Sequence, residues 1–204
     1  MPFIDDLAME LFTLSLVGVL SIYLTGSVFL QYRKNGASDI EGALRPGVFP
    51  LLLLGGLITV MGIYGEMTWP LPGSYNILFY DPYTIIGIVI LMMALAIHFK
   101  QKLQYVGIVA AFAGLIAILY GAYAYMDKMT SSPIAMLGLY IAFGLTGVFT
   151  FPTTLIYDML PGKGKSSAAW NIVLVIFWIG LVVSAVLAAL TGIEAVPQHL
   201  ISPP

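Results

Sequence analysis

Six long apolar segments dominate this chain and restrict what it can fold into. They cover residues 7–32, 46–69, 82–99, 103–126, 133–157 and 167–193. A bilayer core about 30 Å thick is crossed by about 20 helical residues, so each segment is long enough to span a membrane. The segments are continuously apolar, whereas the strands of a membrane barrel alternate polar and apolar residues. The sequence therefore predicts an all-α fold, a polytopic integral membrane bundle of six transmembrane helices that forms one transmembrane domain over residues 1–204.

The composition excludes the soluble alternatives. Hydrophobic residues make up 60% and charged residues 9% of the 204 positions, against about 25% charged residues in an ordinary soluble domain. A soluble fold of this size cannot bury so much apolar surface. The absence of cysteine excludes disulfides and cysteine-based metal centres. A net charge of −2 gives no signal for nucleic acid. We therefore expect a multi-pass protein of the cell (plasma) membrane that contacts lipid and binds no nucleic acid.

Proline, serine and glycine mark the predicted helix ends. Asp81–Pro82 is predicted to supply the N-cap and first residue of the third helix, and Ser132–Pro133 does the same for the fifth. Ser166–Ser167 offers a cap for the sixth helix, and Pro161–Gly162 ends the fifth. The segment Trp69–Asp81 contains two prolines and a glycine, so we predict a re-entrant or interfacial loop there.

The basic residues predict how the helices are oriented. Seven of the eight lie in three short loops that a six-helix chain places on one side: Arg33, Lys34, Arg45, Lys100, Lys102, Lys163 and Lys165. Only Lys128 falls on the other side. Short loops rich in lysine and arginine face the cytoplasm. Both termini are therefore expected outside.

Small residues and one proline suggest how the bundle packs. Gly107, Gly114 and Gly121 recur every seven residues in the fourth segment, and such stripes let two helix backbones approach closely. We expect this helix to lie at the centre of the bundle, with a dimerisation face as the alternative. Gly87 lies outside any stripe, so a leucine should cost less there. Pro152 predicts a structural bend in the fifth helix, or alternatively a hinge beside a binding site.

Acidic residues at the predicted outer ends form the best candidate site. Glu10, Glu66 and Asp81 are expected at similar depth, where a compact bundle could gather them. Clustered carboxylates bind a hard cation or hold a proton. The alternative is a solvated surface, with Asp81 explained as a helix cap. No nucleophile–base pair or metal-ligand motif is present, so we predict no catalytic residue and no cofactor, and do not expect an enzyme by itself.

Three segments carry a resemblance to a known family. They are Tyr75–Tyr83 (YNILFYDPY), Lys102–Gly107 (KLQYVG) and Thr150–Asp158 (TFPTTLIYD). Together they resemble an uncharacterised archaeal membrane family, the domain of unknown function 981. That resemblance implies an archaeal polytopic membrane protein and no known activity. A weaker similarity, in Arg45–Pro50 (RPGVFP), is to the small membrane subunit of tripartite tricarboxylate transporters, which has four helices.

Two functional hypotheses follow. The first is an accessory or scaffold subunit of an archaeal membrane complex, for example an energy-transducing or oxidase complex. Short loops and a membrane interior with few charges favour it. The second is a small-solute or ion transporter or channel, which the proline of the fifth helix and the outer carboxylates favour. The expected partners are other membrane subunits or further copies of the chain.

Overall fold

The computed structural model describes residues 5–35, 40–162 and 167–201. These residues form seven α-helices: α1 (Asp6–Asn35), α2 (Ile40–Leu44), α3 (Val48–Thr68), α4 (Ser74–His98), α5 (Gln104–Met126), α6 (Pro133–Met159) and α7 (Ala168–Ile201). All except the short α2 lie in segments that are long and apolar enough to cross a membrane. The described part of the chain contains no strand. The predicted bundle of six spanning helices is therefore confirmed.

The predicted start of the third spanning helix is wrong, and a side chain from a distant part of the sequence is involved. Helix α4 begins at Ser74, so most of the predicted loop is helical, Pro82 lies inside the helix and Asp81 is not its N-cap. A proline inside a helix has no N–H for the carbonyl four residues earlier. That carbonyl belongs to Leu78, and the Tyr140 hydroxyl of α6 donates a hydrogen bond to it at 2.5 Å. This bond gives the Leu78 carbonyl the partner that Pro82 cannot provide.

The other predicted ends agree more closely with the structure. Helix α6 begins at Pro133, directly after Ser132. Ser167 precedes α7, and its hydroxyl accepts the Trp170 N–H at 3.2 Å, as expected of a cap. A single 3-10 turn, Leu160–Gly162, follows α6. Helices α1 and α7 extend beyond the predicted ranges. Three residues named above lie outside the described ranges: Lys163, Lys165 and Ser166.

The six long helices form a ring in chain order. Each of them contacts the next one along the chain, from α3 to α7, and α1 closes the ring by contacting α7 and α3. We call the end where α1 begins and α7 ends the terminal end. The opposite end, with Arg33, Lys34, Lys100 and Lys102, is the basic end. The fourth spanning helix, α5, occupies one place in this ring and exposes Phe112, so its predicted central position is wrong.

The closest helix contact joins α5 to α6. Gly107, Gly114 and Gly121 all face α6, and a Cβ on Gly114 would overlap the carbonyl oxygen of Gly144. Small residues thus allow direct backbone contact within one chain. Gly87 of α4 is equally confined, because a Cβ there would lie 2.7 Å from a backbone nitrogen of α3. A close backbone contact at Gly87 therefore removes the reason for expecting that a leucine costs less there than at Gly114.

Candidate functional site

A cavity of about 200 Å³ lies inside the ring, and all six long helices line it. We call it the central cavity. Its walls are mostly apolar. Each long helix contributes apolar lining residues, for example Leu14, Leu51, Met93, Ala113, Phe143 and Phe177. Concave, largely apolar sites with a few polar groups are typical of small-molecule binding. The central cavity is thus a candidate ligand site in the described chain.

Helix α6 contributes most of the polar groups in the central cavity. Its hydroxyl-bearing lining residues are Thr146, Thr150, Thr153, Thr154 and Tyr157. Thr146, Thr150 and Thr154 each donate to a carbonyl of their own helix at 2.8 Å. Thr153 is 2% exposed, and within the described residues its Oγ1 has no hydrogen-bond partner. This hydroxyl, directly after Pro152, is therefore an unpaired and buried polar group in the wall of the central cavity.

Hydrogen bonds around Thr25 tie three helices together toward the basic end of the central cavity. The Trp178 Nε1–H of α7 donates to Thr25 Oγ1 at 2.9 Å. The Tyr157 hydroxyl of α6 donates to the Thr25 carbonyl at 2.5 Å. Thr25 and Tyr157 also line the cavity. These bonds hold α1 against α6 and α7 at this depth.

A second, smaller cavity of about 50 Å³ adjoins the central cavity on its terminal side. The two share four lining residues, which are Leu14, Ile86, Ala117 and Phe143. We call this space the Glu10 cavity, because Glu10 is the carboxylate that lines it. The two neighbouring cavities together are lined by residues from Tyr157 to the buried carboxyl group of Glu10 near the terminal end.

The three predicted carboxylates lie at the same end of the bundle but in different surroundings. Glu66 and Asp81 are half-buried, and their carboxyl groups are close enough to interact. The Tyr120 hydroxyl also donates to Asp81. Glu10 is only 3% exposed, and it interacts electrostatically with Glu66. Among the described residues, no three acidic or histidine side chains are grouped so that they could hold a metal ion.

Three residues that sequence analysis did not single out take part in this arrangement. Tyr140 donates to the Leu78 carbonyl that Pro82 leaves without a partner, and Thr153 lines the central cavity and has a buried hydroxyl without a partner among the described residues. Asp158 of α6 accepts the backbone N–H groups of Leu103 at 3.1 Å and Gln104 at 2.9 Å, and so caps α5. The threonines of α6 recur every three or four residues, a helical spacing that could have indicated a polar stripe.

The fold and this interior define the class of protein. A helical bundle with six helices long and apolar enough to span a membrane is a multi-pass membrane protein. The chain belongs to the family described as Protein of unknown function (DUF981), whose family model matches residues 1–202. The family resemblance is therefore confirmed. No curated protein and no solved structure matches the chain.

Proposed function

We propose that this protein is a membrane transporter that binds a small amphipathic molecule in the central cavity. The observation that carries this proposal is a single cavity lined by all six long helices. A bundle that serves only as a scaffold has no need of such a space, because membrane helices pack closely through their small residues. The structure therefore favours the transporter hypothesis over the accessory subunit.

The lining of the cavity indicates the kind of molecule. Burying an unpaired charge between apolar walls is costly, so a bare ion is a poor occupant. A wholly apolar molecule would leave the Thr153 hydroxyl without a partner. A molecule with an apolar body and one hydroxyl or carbonyl group satisfies both requirements. Such a molecule also crosses a bilayer more slowly than a hydrocarbon does, because its polar group must leave water.

The chain's lack of cysteine allows a direct test of access to the cavity. We expect Thr153→Cys, reconstituted in lipid vesicles, to react with a small polar methanethiosulfonate reagent although Thr153 is 2% exposed. Transport requires the site to open to water at times, which makes the thiol reactive. Leu119→Cys is the control, because Leu119 is 56% exposed on the outer face of the bundle and should face lipid. Reaction of Thr153→Cys only after unfolding would contradict a transport pathway.

A matched pair of probes tests the ligand class. Octanol should slow the labelling of Thr153→Cys, whereas octane at the same membrane concentration should not. Ala113→Phe fills the central cavity and should abolish the protection by octanol. Ala135→Phe adds the same volume at an exposed position of α6 and should preserve it. Equal protection by octanol and octane would contradict the amphipathic ligand.

The accessory-subunit hypothesis stays a prediction with its own test. Purification from native membranes followed by mass spectrometry should yield the protein alone or as a homo-oligomer if it is a transporter. A stoichiometric complex with other membrane proteins would favour the subunit of an archaeal complex instead. The short loops of the chain, which leave little room for soluble domains, fit either outcome.

A further inference from the structure

Glu10 is a buried carboxyl group in an apolar part of the bundle. It lies in the second turn of α1, is 3% exposed, and its Oε1 has no hydrogen-bond partner in the described chain. It lines the Glu10 cavity together with apolar neighbours such as Leu11, Phe79 and Pro82. Carboxyl groups at membrane depth are costly, and they commonly mark ion sites or proton relays.

The polar groups that face Glu10 are acidic or phenolic. They come from four helices: Asp6 of α1, Glu66 of α3, Tyr80 and Tyr83 of α4, and Tyr140 of α6. The Tyr83 hydroxyl shares a hydrogen bond with Thr13, and Tyr140 donates to a backbone carbonyl. The charged groups that act electrostatically on Glu10 are the carboxylates Asp6 and Glu66, and no described lysine or arginine is among them. Of the described lysines and arginines only Lys128 lies at the terminal end, where it is exposed.

A proton suits this position better than a metal ion. Metal ions need several oxygen ligands, but no three acidic or histidine side chains of the described residues could hold one. A single carboxyl group in a small apolar cavity can hold one proton and thereby lose its charge. Glu66 acts electrostatically on Glu10, and it lies beside Asp81 in a pair that is only half-buried. In the proposal below, this pair is the route by which protons pass between Glu10 and water.

We propose that Glu10 is a proton-binding site whose protonation is coupled to the opening of the central cavity. The proton comes from water at the terminal end, binds a carboxylate oxygen of Glu10 and returns to water, and no other bond is formed or broken. Coupling is structurally direct, because the Glu10 cavity and the central cavity share residues from α1, α4, α5 and α6. The coupling rests on the proposed transport function, whereas the proton site itself does not.

Infrared difference spectroscopy tests the proton site on the intact protein in lipid. Spectra recorded between acidic and alkaline buffer should contain the carbonyl stretch of a protonated carboxyl group in a dry environment. Glu10→Gln should remove that band, and Glu194→Gln, at an exposed position of α7, should leave it unchanged. Should Glu10→Gln fail to fold, Glu10→Asp should keep the band at a shifted frequency. A band that is unaffected by either Glu10 variant, or lost only in Glu66→Gln, would overturn the assignment.

The labelling rate of Thr153→Cys tests the coupling. The rate is compared between the chain with Glu10 and the chain with Glu10→Gln at each pH, so that the thiol's own ionisation cancels in the ratio. We expect this ratio to change with pH, because Glu10 can gain or lose a proton whereas the glutamine of Glu10→Gln cannot. A constant ratio would overturn the coupling and leave the transport proposal intact. No labelling in either chain would contradict transport, and the infrared band would still decide the role of Glu10.

Discussion

At the scale of single residues, a hydrogen bond from Tyr140 supports a proline inside a membrane helix. Pro82 leaves the carbonyl of Leu78 without its usual partner, and Tyr140 supplies a hydroxyl from another helix. In hydrocarbon no water can replace such a bond. Tyr140 is buried, so its ring and hydroxyl are held where the carbonyl needs them.

We predict that Tyr140→Phe destabilises the protein by about 1–3 kcal/mol, the usual cost of leaving a buried polar group unpaired. The ring remains, so its packing against Gly121 is preserved. Thermal unfolding in detergent measures the effect. Tyr123→Phe is the control, because Tyr123 is 60% exposed and its loss should change the unfolding temperature little.

A second substitution shows whether the cost of Tyr140→Phe comes from the proline. Pro82→Ala restores a backbone N–H that can bond to the Leu78 carbonyl. In that background Tyr140→Phe should cost clearly less than it does alone, a departure from additivity that a double-mutant cycle measures. Additive effects of the two substitutions would contradict the proposed compensation.

At the scale of helices, the sequence predicts ends where the signal is local and fails where it is not. Ser132–Pro133 and Ser167 lie next to the helices that they begin, so these two starts could be predicted, although only the Ser167 hydroxyl makes a cap hydrogen bond. The start of α4 could not be predicted, because its proline is supported by a residue 62 positions away from the carbonyl that it satisfies. The candidate site likewise has a part that the sequence predicts and a part that it does not. Its carboxylates are visible as charges in apolar segments, but the central cavity exists only after the ring has closed.

The contact between α5 and α6 depends on small residues. We predict that Gly114→Leu costs about 1–3 kcal/mol, the usual cost of overpacking a tight contact. The leucine would force apart the backbones that meet at Gly144. Gly138→Leu is a suitable control, because no heavy atom lies within 4 Å of a Cβ placed there. Equal melting temperatures for the two variants in detergent would contradict the close contact.

The N-terminus of α5 is capped by a residue of α6. Asp158 accepts two backbone N–H groups that the first turn of α5 leaves unpaired. We predict that Asp158→Ala lowers stability by about 1 kcal/mol, a typical cost for losing a cap. Asp158→Asn should cost less, because its side-chain oxygen can still accept one bond. Asp127→Ala, at an exposed carboxylate, is the control; equal losses at both positions would exclude a special role for Asp158.

At the scale of the whole molecule, closure of the ring brings chemistry together from distant parts of the chain. Glu10 of α1 lines the same cavity as Pro82 of α4 and Tyr140 of α6. Most acidic side chains of the described residues lie at the terminal end, and all of their lysines and arginines except Lys128 lie at the other. This charge separation is a property of the whole bundle, and it leads to a prediction about orientation.

Cysteines at opposite ends of α4 and its following loop test that orientation. Ser74 and Lys102 are both exposed, at the terminal and basic ends respectively. Because basic loops remain in the cytoplasm, a membrane-impermeant maleimide added to intact cells should label Ser74→Cys. It should label Lys102→Cys only after the membrane is permeabilised. The reverse pattern would keep six spanning helices but contradict the predicted orientation. Labelling of both from outside would contradict the assignment of α4 as a spanning helix, because its two ends would then lie on one side.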